Sequence, residues 1–232
     1  MSTATRYQHL RSELDSECIK AGRNPEEVLL LAVSKTVDVD QVALAIQAGA
    51  SAFGENRPDE LVRKQRAFPE VAWHFIGNIQ SRRIPDIVSA ATLIHSVSKE
   101  SHLAKIDTAA QRLGKRQRLL LEVNVSGEES KSGFRPQEVW GVLQRAQGLS
   151  HITIEGLMTM APQGDEQAIT ETFSGLAQLK DVLNDQLQQE DLSCHLSALS
   201  MGMTEDWRCA VGFGTTIVRI GRAVFSDAFE EA

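Results

Sequence analysis

Leu29 to Lys35 reads LLLAVSK, five apolar residues and a serine running without a break into one lysine. A short, near-continuous apolar run is the pattern of a strand buried on both faces, as in a parallel sheet. Lys35 then stands where the chain leaves the core. An amine at the mouth of an apolar barrel or sheet loses hydration, its neutral form becomes accessible, and it can condense with an aldehyde. A Schiff-base lysine and an ordinary solvated lysine are the two readings of this heptapeptide.

Working outward, the run is followed by a helix that Asp38 caps, with Val39, Val42, Ala43 and Ile46 inward and Gly49 as its stop. The same alternation recurs along the chain. Further strands are expected at Ala50–Phe53, Val71–Ile76, Thr92–Val97, Arg118–Val125, Ile152–Met158, His195–Leu199 and Thr216–Ile220. Helices are expected from Pro58, over Ile84–Ser89, from a Ser98 cap with Leu103, Ile106, Ala110 and Leu113 inward, from Pro136, after Asp165, and near Thr204. Before all of these, Ser2–Ala21 forms an amphipathic helix with Tyr7, Leu10, Leu14 and Cys18 on one side. Eight strand–helix pairs match the parallel (β/α)8 TIM barrel, here with an extra N-terminal helix. A doubly wound open sheet would favour a glycine-rich turn after the first strand, where this chain has SKTVDVD. No linker or low-complexity stretch interrupts the pattern, so residues 1–232 are expected to form a single domain.

Composition narrows the function classes. The 24 basic and 31 acidic residues give a net charge of -7, which argues against a nucleic-acid partner. Cys18, Cys194 and Cys209 are odd in number and lack metal-type spacing, as expected of reduced thiols. No apolar run is long enough for a membrane span, and the polar start is no signal peptide. A cytoplasmic protein is expected.

Active sites of this barrel lie at the C-terminal ends of the strands, and a phosphate site is often built from the loops after strands seven and eight. Those loops read SMGMTED and RIGRAVF. Ser200 offers a hydroxyl, Gly202 and Gly221 allow close backbone approach, and Arg222 adds a positive charge. With Lys35 on the first strand, they describe a phosphorylated aldehyde held at two ends, for which pyridoxal 5'-phosphate is the leading candidate. Arg219, two residues before Gly221, should share its side by strand alternation. Facing a pyridine nitrogen, its guanidinium would keep that nitrogen unprotonated and make the ring a poorer electron sink. An arginine paired with a carboxylate at the barrel rim is the alternative.

LLAVSK, FGEN, WHFIG, VNVSGEESKSGF, GLMTM, LSMGMTED and VRIG occur in this order from about Leu30 to Phe225. In these motifs the chain resembles the YggS/PROSC family of pyridoxal phosphate homeostasis proteins, which is similar to the N-terminal barrel of alanine racemase, the fold type III arrangement. The resemblance implies that Lys35 forms the Schiff base and that Asn56 and His74 line the cofactor pocket. It also implies that Ser200, Gly202 and Met203 with Gly221 receive the phosphate, and that Arg219 faces the pyridine nitrogen. Two departures stand out. IQSRR, Ile79 to Arg83, replaces the common LQxNK, and Arg222 stands where threonine or serine is frequent, so a hydroxyl contact to phosphate is lost.

A racemase of this fold type uses a second base, a tyrosine from a β-rich domain of the partner subunit. Here Tyr7 is the sole tyrosine and sits in the N-terminal helix. The expectation is therefore a non-catalytic protein that binds, buffers and delivers the cofactor to dependent apoenzymes, as a monomer or weak homodimer. The alternative is a slow amino-acid racemase with His74 or Cys209 as second base; a cofactor-free Schiff-base aldolase is more distant. His95 and His102 have no companions at metal-ligand spacing, so no metal is expected. Lys131 in EESKSG is read as a loop residue bridging the barrel mouth, Cys209 as helix packing, and the DAFEEA tail as a frayed end.

Overall fold

The computed structural model describes residues 1–128 and 131–226. Eight parallel strands close on one another in chain order: β1 Leu29–Val33, β2 Ala52–Glu55, β3 Ala72–Phe75, β4 Leu93–Val97, β5 Gln117–Glu122, β6 Ile152–Met158, β7 Ala198–Met203 and β8 Ile217–Ile220. Closure is made by β1 against β8, with Leu31 opposite Arg219. Around them run α2 Val39–Gln47, α3 Pro58–Ala67, α4 Ile84–Ala90, α5 Glu100–Arg112, α6 Pro136–Ala146, α7 Glu166–Gln189, α8 Trp207–Gly212 and α9 Arg222–Phe225, while α1 Thr3–Lys20 precedes the barrel. The fold is the (β/α)8 barrel with its extra N-terminal helix. No helix among the described residues is long and apolar enough to cross a membrane.

Period-2 alternation sorts each strand into two environments. Outward residues such as Leu30, Ala32, Phe53, Leu119, Leu121, Val218 and Ile220 join the layer shared with the helices. Inward residues form a separate apolar cluster of Leu31, Ala52, Leu93, Leu120 and Ile217, which Met158 joins from the end of β6 and against which Ala72 and Ala198 pack. One inward step further along five of these strands, the side chains change from apolar to polar: Ala72 to His74, Leu93 to His95, Leu120 to Glu122, Ala198 to Ser200 and Ile217 to Arg219. The barrel interior is therefore oil below and a polar layer above, the polar layer lying toward the strand ends that build the site.

Several element boundaries differ from the sequence expectation, each for a visible reason. β7 begins at Ala198 rather than His195, because the Asn184 amide on α7 both accepts from the Leu196 N–H (2.8 Å) and donates to its carbonyl (2.9 Å). Leu196 is thus tied to a helix, and pairing with β6 starts only at the Ser197 N–H on the Glu155 carbonyl, 2.8 Å. β2 is shifted to end on Glu55, a charged residue that is fully buried within the strand. The strand expected to reach Val125 ends at Glu122, leaving one isolated bridge between Val123 and Phe134. Helix α5 starts at Glu100 with Lys99 as its cap, so Ser98 does not cap it, and Leu113 lies past its last turn, 51% exposed. The helix expected near Thr204 starts only at Trp207, after a turn in which Asp206 donates its N–H to the Met203 carbonyl.

Helix α1 seals the seam of the barrel. Tyr7, Leu10, Leu14 and Cys18 are buried as the amphipathic pattern predicts. Arg6 donates from Nε to the Val224 carbonyl at 2.9 Å, joining the first helix to α9.

Candidate functional site

A cavity of about 600 Å³ opens at the C-terminal ends of the strands, within the usual size range for small-molecule sites. Its wall takes Lys35 from the turn after β1, Asn56 after β2, Met203 at the end of β7, Arg219 on β8, and Gly221 and Arg222 beyond it. Six of the nine residues singled out from the sequence thus meet in one space. Lys35 is exposed to that space, so the chain alone does not desolvate its amine as the sequence argument supposed.

Arg219 is the best-defined polar group of the site. It is 5% exposed, donates from one Nη to Ser200 Oγ at 2.7 Å and from the other to the Thr159 carbonyl at 2.9 Å. Nε has no partner among the described residues. Burial pulls the guanidinium down to about 10, with the charges of Asp206 and Glu122 acting in the opposite direction. It stays cationic at neutral pH inside the barrel, which is not the rim ion pair of the alternative reading.

Three expected site residues lie elsewhere. His74 is buried in the polar layer, with Nδ1 2.9 Å from Nε2 of His95. The other ring nitrogen of His95 is 2.8 Å from Ser200 Oγ. Ser200 is therefore consumed by an internal chain running Arg219, Ser200, His95, His74, and its hydroxyl does not line the cavity. Burial drives His74 down to about 3, reinforced by the charge of Arg118, and drives His95 well below the ordinary histidine value. Both rings are neutral at pH 7, so each histidine bond has one donor and one acceptor; Arg219 always donates to Ser200, while the Ser200–His95–His74 bonds run together one way or the other according to the tautomers. Gly202 has φ +92°, and a Cβ there would lie 2.8 Å from Ala210 Cβ and 3.0 Å from Trp207 Cα. Its lack of a side chain serves the packing of α8 and the backbone conformation.

Two further residues keep their place on the wall but arrive already engaged. The Met203 N–H donates to the Asp206 carboxylate, and is thus not free for a phosphate. Arg222 donates to Glu205 at 2.7 Å across the rim, both side chains being largely exposed. Pairing offsets the extra charge that the sequence placed there. Gly221 is a close-approach position, where a Cβ would lie 3.1 Å from the Val33 carbonyl.

The cavity also has contributors to which the sequence assigned no cofactor role, Asn78, Met158 and Met160 being strand-end positions and Thr204, Glu205, Asp206 and Gln163 unforeseen. Thr204, Glu205 and Asp206 follow β7, Asn78 follows β3, and Met158, Met160 and Gln163 come from the sixth strand and its loop. Burial raises the Asp206 carboxyl, against the Met203 N–H and Arg219, which lower it. The signal for Thr204 was present in LSMGMTED, but placing the seventh strand three residues early gave the hydroxyl role to Ser200. Lys131 does not bridge the mouth: its ion pair, 3.1 Å, is to Glu128 in its own loop, and it donates to the Met160 carbonyl of the neighbouring loop at 3.4 Å. The rest of EESKSG at residues 129–130, and the tail from 227, lie outside the described residues. Among the described residues no group of acidic, histidine or cysteine side chains is placed to hold a metal ion.

Residues 17–228 match the family described as alanine racemase, N-terminal domain. The pyridoxal phosphate homeostasis protein of Vibrio alginolyticus is 36% identical over 225 residues, 94% of each chain. That of Pseudomonas aeruginosa is 38% identical over 214 residues, 88% of this chain and 86% of its own. The chain belongs to the pyridoxal phosphate homeostasis protein family. The structure of PipY from Synechococcus elongatus with PLP bound superposes with a TM-score of 0.84 at 31% identity, covering 97% of this chain and all of that one. The alanine racemase of Clostridium difficile shares the fold, with a TM-score of 0.71 at 14% identity, but this chain covers only 56% of it.

Proposed function

We propose that residues 1–232 form one pyridoxal 5'-phosphate-binding unit that holds, buffers and hands over the cofactor, with Lys35 as the residue of covalent attachment. The observation that carries this reading is the meeting of an exposed lysine amine and a buried, cationic arginine in one cavity at the strand ends. The donor set fits the group. Lys35 supplies an amine, Arg219 keeps its Nε without a partner among the described residues, and Gly221 permits close approach of the backbone. Thr204 takes over the hydroxyl role that Ser200 cannot fill. When bound, pyridoxal 5'-phosphate supplies an aldehyde for an amine to condense with and an aromatic ring that accepts electron density. Arg219, held by Ser200 and Thr159, would disfavour a proton on the ring nitrogen and so restrain that electron sink.

Binding without turnover is supported by what the cavity wall offers as a second base. His74 is sealed in the polar layer, and Cys209 on α8 has its sulfur against Thr170 and does not line the cavity. Asp206 and Glu205 are engaged with the Met203 amide and with Arg222. The three cysteines, none of them in a disulfide, suit work in the cytoplasm; the proposed carrier acts there as a monomer or weak homodimer serving cofactor-dependent apoenzymes. The test is to load the protein with pyridoxal 5'-phosphate and follow both L-alanine and a cofactor-free aminotransferase. Reactivation of the aminotransferase, with D-alanine formed no faster than by free cofactor, is the expected result. D-alanine formation well above that background would overturn the carrier reading in favour of a racemase.

A further inference from the structure

The turn carrying Lys35 is held by a buried ion pair that lies outside the cavity. Ser34 to Val37 form a turn closed by the Val37 N–H on the Ser34 carbonyl at 3.1 Å. From α3, the Lys64 ammonium donates to the Ser34 carbonyl at 2.8 Å and to the Val37 carbonyl at 2.7 Å, the two ends of that turn. Its third donor goes to Glu55 Oε1 at 2.6 Å, and the same oxygen accepts from Ser34 Oγ at 2.7 Å. Lys64 and Glu55 are 1% and 0% exposed, and Glu55 Oε2 has no partner.

This arrangement is a costly way to fill space. Desolvating two charges and leaving a carboxylate oxygen unpaired stabilises a fold less than apolar packing of the same volume, which Leu61 on the same helix achieves. What the pair does that an apolar pair could not is grip both carbonyls flanking Lys35 and Thr36. We infer that Lys64, oriented by Glu55, is a positioning residue that fixes the backbone from which Lys35 reaches into the cavity. The inference rests on the proposed role of Lys35, and it assigns Lys64 no contact with the cofactor.

The test uses the full chain carrying Lys64→Met, and the double variant Lys64→Met/Glu55→Gln, which spares the fold an unpaired buried carboxylate. Each is titrated with pyridoxal 5'-phosphate and with pyridoxine 5'-phosphate, which keeps ring and phosphate but has an alcohol in place of the aldehyde. Covalent attachment is read as the borohydride-fixed adduct on Lys35. The expected result is wild-type affinity for pyridoxine 5'-phosphate with attachment slowed about tenfold or more, as for a reacting group displaced by a fraction of an ångström. Equal weakening of both ligands would reduce the ion pair to a structural role, and an unchanged attachment rate would also overturn the inference. A wild type that attaches no cofactor would instead refute the role of Lys35 itself.

Discussion

The chain of hydrogen bonds from Arg219 through Ser200 and His95 to His74 gives the barrel interior a dependence on pH. Both histidines bind a proton less readily in the folded chain than in the unfolded one. Their contribution to stability is therefore fully present above the ordinary histidine value of about 6.5 and is lost as pH falls from there, for His74 toward about 3. The loss amounts to at most about 1.4 kcal/mol per pH unit for each ring over that window. Glu122 and Asp206, whose carboxyls burial pushes up, act in the opposite sense, because the folded chain holds their protons more readily. Urea unfolding between neutral and mildly acidic pH should show falling stability, and His74→Phe should flatten the slope. An unchanged slope in that variant would contradict neutral, buried rings. At this scale Lys35 and Arg219 were legible because a lone charge ending an apolar strand is conspicuous. Glu55, Lys64 and His95 were not, since their roles come from partners 9 to 105 residues away in the chain.

Strand β7 and the turn after it show how a boundary decides chemistry. The apolar-to-polar change at Leu199 suggested the end of a strand, whereas the ladder continues to Met203 and places Ser200 inside the barrel. Alternation was readable; its starting point was not, because the Asn184 contacts that delay the strand come from the preceding helix. Gly202 changes meaning accordingly. With φ +92° and Ala210 and Trp207 in the way of any Cβ, Gly202→Ala should destabilise the fold by about 2 to 4 kcal/mol through backbone strain and overpacking. Unfolding in urea measures this directly. A variant of wild-type stability that has lost only phosphate affinity would restore the phosphate role expected from the sequence.

Across the whole molecule, eight repetitions of one pattern made the architecture readable, because each unit had to bury its strand on both faces and its helix on one. The closure of the barrel then brings β1 and β8 side by side, with Leu31 opposite Arg219, so that Lys35 and Arg219 share a cavity despite 184 residues of separation. Helix α1 reinforces the same seam through Arg6 and Val224. We propose that this seam holds pyridoxal 5'-phosphate on Lys35. The most direct test is to add the cofactor to the full chain, reduce with borohydride, digest, and locate the phosphopyridoxyl group by mass spectrometry. The group is expected on the peptide containing Lys35 and is expected to be absent from a Lys35→Ala variant. A label on Lys64, on Lys131, on scattered surface lysines, or on none would contradict the proposal.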